Sequence, residues 1–146
     1  MKSISTEITI NAPVEQVWAV LTNFSAYPEW NPFIQSISGE AKEGGQLEAY
    51  IQPPGQSAMT FRPTVLRAEE NREFRWLGKL FIKGLFDGEH YFIMTPIDEY
   101  STRFEHGENF RGLLAGLIMS KIADSTKAGF EAMNQALKER AEAIIA

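Results

Sequence analysis

The chain contains no cysteine. That excludes disulfides, thiol nucleophiles and thiolate metal sites, and it suits a reducing, cytoplasmic setting. Histidine occurs only at His90 and His106, so any imidazole chemistry must run through these two positions. No apolar run approaches the roughly 20 residues that span a bilayer. The first residues lack the apolar stretch and small-residue cleavage site of a secretory leader. An integral membrane protein is therefore not expected. No cluster of Lys or Arg interrupts a net charge of -5, which argues against a surface that tracks nucleic-acid phosphates. The usual catalytic signatures are missing as well: no phosphate-cradling glycine loop, no His-Glu-x-x-His and no serine elbow. His106-Gly107-Glu108 matches the start of a zinc deaminase motif, but that chemistry needs cysteine ligands further on. No cofactor and no metal site is expected.

What is present suffices for one core. With 146 residues, 44% of them hydrophobic, a single domain over 1–146 is expected. Ile4, Thr6, Ile8 and Ile10 alternate with Ser5, Glu7 and Thr9, the pattern of a half-buried strand. Asn11-Ala12-Pro13 ends it and opens a short helix with the stripe Val14, Val17, Trp18 and Leu21. An aromatic-rich connection runs from Phe24 to Phe33, broken by Pro28 and Pro32. Strands are predicted over 34–39, 46–52, 59–69, 73–77, 88–95 and 102–110, separated by Gly44-Gly45, Pro53-Pro54-Gly55, Glu70-Asn71 and Pro96-Ile97-Asp98-Glu99. Short turns between neighbouring strands predict an antiparallel meander.

A long helix from about Leu113 to Ile144 closes the chain. Its inner stripe carries Leu114, Leu117, Ile118, Ile122, Phe130, Met133 and Leu137. About 30 residues give about 45 Å, enough to cross the whole sheet. Ser125, Thr126 and Gly129 thin the middle of the stripe. Small residues there leave room for a ligand unless large sheet residues reach across. The fold class is α+β: a curved antiparallel sheet around a long C-terminal helix, with a hollow between them.

The last hairpin concentrates the chemistry. A turn centred near Asp98 would place Phe92 opposite Phe104 and His90 opposite His106. A slip of two residues changes the partner but not the face. His90, Phe92, Met94, Phe104, His106, Glu108 and Phe110 share the more apolar side, which should face the helix. A polar group there must be hydrogen-bonded or have work to do. Three readings remain open: His106 and Glu108 tie the structure together, they are polar handles of an apolar pocket, or two imidazoles and a carboxylate form a metal triad.

Phe61, Phe74, Trp76, Leu117, Lys121 and Phe130 complete the candidate ligand-binding set. Lys121 is read either as a cation meeting an anionic head group or as a lysine lying over apolar surface. Leu80, Phe81, Ile82, Leu85 and Phe86, on a connection interrupted by Gly78 and Gly84, are read as an entrance loop: a lid, a plug, or a surface for a membrane or a second subunit in a homodimer.

Five segments together resemble the START-like (SRPBCC, helix-grip) superfamily of polyketide cyclases/dehydrases and lipid-transport proteins. They are Ile10-Asn11-Ala12-Pro13-Val14-Glu15-Gln16-Val17-Trp18, Tyr27-Pro28-Glu29-Trp30-Asn31-Pro32, Gly88-Glu89-His90-Tyr91-Phe92, His106-Gly107-Glu108-Asn109-Phe110-Arg111-Gly112 and Ala136-Leu137-Lys138. The resemblance covers nearly the whole chain. It implies a seven-stranded antiparallel sheet gripping the C-terminal helix, two short helices after the first strand, and a deep apolar cavity. It does not imply one activity, because members range from carriers and receptors to cyclases and chaperone activators. The leading expectation is a soluble carrier or sensor of a hydrophobic small molecule: a lipid, polyketide or aromatic metabolite. The alternatives are a cyclase/dehydrase-type enzyme with His106 and Glu108 as acid and base, and a module that binds a partner protein.

Overall fold

The computed structural model describes residues 2–80 and 84–145. Strand β1 (Lys2–Ile10) leads through Pro13 into α1 (Val14–Thr22), a 3-10 turn (Phe24–Ala26) and the single-turn helix α2 (Tyr27–Trp30). Strands β2 (Ile34–Gly39), β3 (Leu47–Ile51), β4 (Met59–Phe61), β5 (Thr64–Glu69), β6 (Glu73–Leu80), β7 (Phe86–Asp98) and β8 (Ser101–Arg111) follow, and α3 (Ala115–Ile145) closes the chain. Every strand pair is antiparallel. Among the described residues no helix is long and apolar enough to cross a membrane.

The strands form a five-stranded sheet in the order β1-β8-β7-β6-β5 and a three-stranded sheet in the order β2-β3-β4. This corrects the expectation of one seven-stranded sheet. The predicted strand over 59–69 is two strands, because Pro63 lacks the N–H that a continuing ladder needs. The chain changes sheets there. Leu47 N–H donates to the Pro63 carbonyl and Val65 N–H to the Gly45 carbonyl, at 2.9 and 2.8 Å, so the two sheets are stitched together at that corner.

The β7–β8 register also differs from expectation, by two residues. Phe92 faces His106, His90 faces Glu108, and Met94 faces Phe104. The cause is the turn. Asp98 Oδ1 accepts from Tyr100 N–H at 2.8 Å and from Ser101 Oγ at 2.9 Å. This side-chain turn leaves only Glu99 and Tyr100 in the loop, so β7 continues through Pro96 instead of ending before it. Pro96 is tolerated because the β6 pairing ends at Ile93, leaving β7 paired on one side. As the period-2 pattern requires, the inward face is unchanged by the slip: His90, Phe92, Met94, Phe104, His106 and Phe110 are buried.

Helix α3 has 31 residues, about 46 Å. It packs along β1, β8 and α1. Its buried side is Ala115, Met119, Thr126, Gly129, Phe130, Met133, Asn134, Leu137 and Ala141. Leu117, placed on the inner stripe by the sequence pattern, is 62% exposed. The stripe begins one helical face away, at Ala115 and Met119.

The thin middle of the helix is not vacant at Gly129. A Cβ there would lie 2.4 Å from Phe33 Cδ1. The Phe33 ring therefore rests directly on the α3 backbone, held by Asn31 Oδ1, which accepts from the Phe33 and Ile34 N–H groups at 3.0 and 2.9 Å. Gly129→Ala gains about 1 kcal/mol of helix propensity but forces the buried Phe33 ring aside, at about 1–3 kcal/mol. We expect a net loss of stability in denaturant unfolding. Combining it with Phe33→Leu should recover part of that loss, a coupling that a double-mutant cycle measures.

Candidate functional site

Antiparallel pairing lays three rows of inward residues across the large sheet. One row is Phe74–Phe92–His106–Thr6, the next Trp76–His90–Glu108–Ile4, and the third Gly78–Gly88–Phe110–Lys2. The first row is solid: Phe74, Phe92 and His106 are fully buried. The third has two glycines side by side. A hollow of about 180 Å³ opens beside them. It is walled by Trp76, Gly78, Gly88, His90, Glu108 and Phe110 from the large sheet, Met59 and Phe61 from β4, Phe33, and Ile122 and Thr126 from α3. Pro53, Gln56, Ser57, Lys79 and Phe86 stand around it as well. Most of the wall is apolar. Phe86 stacks on Phe110, with ring centres 5.4 Å apart.

The second row supplies the polar corner, and the buried polar groups behind it form one continuous chain. Thr6 Oγ1 donates to the His106 carbonyl at 2.8 Å. Its hydrogen being used there, it accepts from Asn134 Nδ2 at 2.8 Å. That orients the amide, so Asn134 Oδ1 faces His106 Nδ1 at 2.9 Å and accepts from it. His106 Nε2 is 2.7 Å from His90 Nε2, and His90 Nδ1 is 3.2 Å from Glu108 Oε1.

Burial, then the neighbouring His90, hold His106 well below its ordinary value of 6.5, outweighing the hydrogen bonds to Asn134 and the Phe130 backbone. His106 is thus neutral. With Nδ1–H given to Asn134, its Nε2 is a bare acceptor, and His90 Nε2 must donate. Stacked rings shield the pair: Phe130 on His106 with centres 4.1 Å apart, and Trp76 on His90 at 4.9 Å.

Of the residues proposed from sequence to bind a ligand, Phe61, Trp76, His90 and Glu108 border the cavity. Phe74, Phe92, Met94, Phe104, His106 and Phe130 lie in the solid core behind it. His106 is fully buried and reaches the cavity only through His90. Leu117 and Lys121 are exposed and do not border it. At the entrance, Phe86 borders the cavity and Leu85 is partly buried, its carbonyl accepting from Leu114 N–H at 2.9 Å. Phe81 and Ile82 lie outside the described residues, as does the side chain of Leu80. The triad reading fails on geometry. The imidazoles aim their Nε2 atoms at each other, and among the described residues no three His, Asp or Glu side chains are placed to hold a metal ion.

Sequence reasoning missed Phe33, the Gly78–Gly88 pair, Asn134 and the role of Thr6. Asn134 was detectable as a polar residue on the apolar face of Phe130, Met133 and Leu137.

The family described as polyketide cyclase/dehydrase and lipid transport matches residues 1–142. The chain belongs to that family. Its fold is START-like. A START superfamily protein from Mycobacterium smegmatis superposes with a TM-score of 0.74 at 23% identity, over 97% of this chain and 98% of that one. The Zhui aromatase/cyclase from Streptomyces sp. R1128 gives 0.76 at 13%, over 99% and 96%. Norcoclaurine synthase from Thalictrum flavum gives 0.75 at 12%, over 99% and 96%. Among curated proteins none matches the chain.

The neutral buried His106 has a sign-definite consequence. Above about pH 6.5 it is uncharged in both folded and unfolded chains, and its contribution is complete. Below that, the unfolded chain takes up a proton that the folded chain refuses. Stability should therefore fall on acidification by up to about 1.4 kcal/mol per pH unit, down to the depressed folded value. Asp98 and Glu142, held low by their hydrogen bonds, act in the same direction only below about pH 4. Thermal unfolding between pH 7 and 5 checks the slope. Nitrogen NMR of the imidazoles should show His106 taking up its proton only at a lower pH than a free imidazole.

Proposed function

We propose that this protein is a cytoplasmic binding protein or carrier for a small hydrophobic molecule, held between the large sheet and α3. One observation carries the reading: the 180 Å³ hollow, apolar except at the Glu108–His90 corner. Gly78 leaves part of its floor bare, and Gly88 makes room for the Glu108 carboxylate at its edge. A partner-binding module would be expected to have a filled interior instead.

The size narrows the ligand. An apolar cavity of about 150 Å³ holds one benzene ring. The hollow therefore suits a single substituted ring or a compact alicyclic molecule, and a long acyl chain or fused polycycle exceeds it. About seven buried carbon groups contribute roughly 5–6 kcal/mol, against an association cost of several kcal/mol. Apolar burial alone thus gives weak binding, and the polar corner is needed for more.

A cyclase- or dehydrase-type enzyme is the second reading. It is favoured by the pairing of Glu108 Oε1 with His90 Nδ1, 3.2 Å apart, at the cavity wall. The acid/base pair would then be Glu108 and His90, with His106 holding His90 from behind.

Native mass spectrometry of the purified protein, followed by solvent extraction, should reveal a small ligand bound one to one. Thr126→Phe, which projects a ring into the hollow, should weaken binding of any such ligand at least tenfold while leaving the melting temperature unchanged or raised. Binding indifferent to this substitution would place the ligand elsewhere and overturn the reading.

A further inference from the structure

The polar corner selects the chemistry of what it binds, an inference that rests on the cavity reading above. Glu108 Oε1 is engaged by His90 Nδ1. Oε2 has no hydrogen-bond partner among the described residues, and it lies against Gly88, 2.2 Å from where a Cβ would stand. Both residues border the hollow. The missing Cβ thus makes the space in which Oε2 sits.

What Oε2 offers follows from the hydrogen-bond chain. With His106 Nδ1–H donating to Asn134, His90 donates from Nε2, and a hydrogen bond between His90 Nδ1 and Glu108 Oε1 requires one proton between them. If that proton rests on His90, Glu108 is a carboxylate and Oε2 accepts. If it rests on Oε1, Oε2 is the carbonyl oxygen and again accepts. Flipping the Asn134 amide and both imidazole tautomers, at the loss of the Thr6 hydrogen bond to the His106 carbonyl, puts an N–H on His90 Nδ1 facing an ionised Glu108, and Oε2 still accepts. All three arrangements of the five linked side chains present the same face to the cavity. It is an acceptor without a donor.

We infer that the site is specific for a small ring compound carrying an O–H or N–H donor, which hydrogen-bonds Glu108 Oε2 while its ring lies against Trp76, Phe61 and Phe110. A carboxylate in the donor's place is rejected, because two acceptors would meet in an apolar enclosure. A hydrocarbon of the same shape is accommodated and leaves Oε2 unmatched. Glu108 is thereby the specificity-determining residue. Its rigid backing through His90, His106, Asn134 and Thr6 holds the acceptor in one place before a ligand arrives.

Three probes of one shape decide this: p-cresol, p-xylene and p-toluate, which differ only in hydroxyl, methyl and carboxylate. Dissociation constants come from calorimetry at neutral pH, with Thr126→Phe as the control for location. In the native protein p-cresol should bind most tightly, and at least tenfold more tightly than p-toluate. In Glu108→Met, which keeps the shape and removes the acceptor, the preference for p-cresol over p-xylene should fall at least tenfold, the size of a charge-assisted hydrogen bond. The penalty on p-toluate should shrink.

An unchanged cresol-to-xylene ratio, with both probes still displaced by Thr126→Phe, overturns the donor selectivity and leaves the cavity reading standing. No binding of any probe, or binding insensitive to Thr126→Phe, overturns the cavity reading itself. Should Glu108→Met fail to fold, the ranking in the native protein decides alone. Toluate binding as tightly as cresol then sinks the inference.

Discussion

Two imidazoles cannot meet nitrogen to nitrogen in an apolar interior unless one gives a hydrogen and the other takes it. That requirement governs this molecule. His90 and His106 approach to 2.7 Å between Nε2 atoms, with aromatic rings on their faces. Solvent cannot rescue a mismatch there, so each remaining nitrogen must find a partner of fixed sense. His106 finds Asn134 on α3, which finds Thr6 on β1. His90 finds Glu108 on β8. The chain of bonds thus fastens the long helix to the sheet at the level where the hollow begins. A buried amide and a buried hydroxyl would each cost stability alone. Linked in one satisfied series, they specify the depth and rotation of the helix instead.

The hollow exists for a different reason from the one the helix suggested. Small residues at the centre of α3 pointed to vacant space, but Phe33 occupies the notch at Gly129. The room comes from the sheet, where Gly78 and Gly88 are neighbours on β6 and β7. Glycine inside a strand sacrifices packing and loses more chain entropy on folding than other residues, so two side by side need a local purpose. Gly88 admits the Glu108 carboxylate, and Gly78 leaves the adjoining floor bare. Thr126, the one small helix residue that does border the cavity, adds to space the glycines had already opened.

Local patterns were the legible part. Period-2 alternation in β1, β7 and β8 and the run of a long terminal helix gave the α+β arrangement and the inward face of both histidines. That face survives a two-residue slip because side chains repeat every second position. Three things were hidden. Pro63 divides a segment whose hydrophobic pattern looks continuous. Asp98 closes its turn with its own side chain, so the hairpin is tighter than the Pro96–Glu99 sequence implied. Leu117 looked inward because a helical stripe read without its partner surface can be rotated by one face. Each concerns how distant segments meet, which periodicity in one segment does not encode.

The turn at Asp98 shows how such a detail reaches function. Had the hairpin closed around Asp98 itself, His90 would stand directly opposite His106, and Glu108 would lie opposite Gly88. The carboxylate would then sit across from bare backbone with no imidazole abreast of it. The observed closure moves every partner by two. Glu108 comes abreast of His90, and Phe110 comes abreast of Gly88. The carboxylate gains an imidazole partner 3.2 Å away, and the glycine pair gains an aromatic wall. Polar corner and apolar hollow are therefore set by the same two hydrogen bonds, from Tyr100 N–H and Ser101 Oγ to Asp98 Oδ1. They lie at the far end of the hairpin, on residues that do not border the hollow.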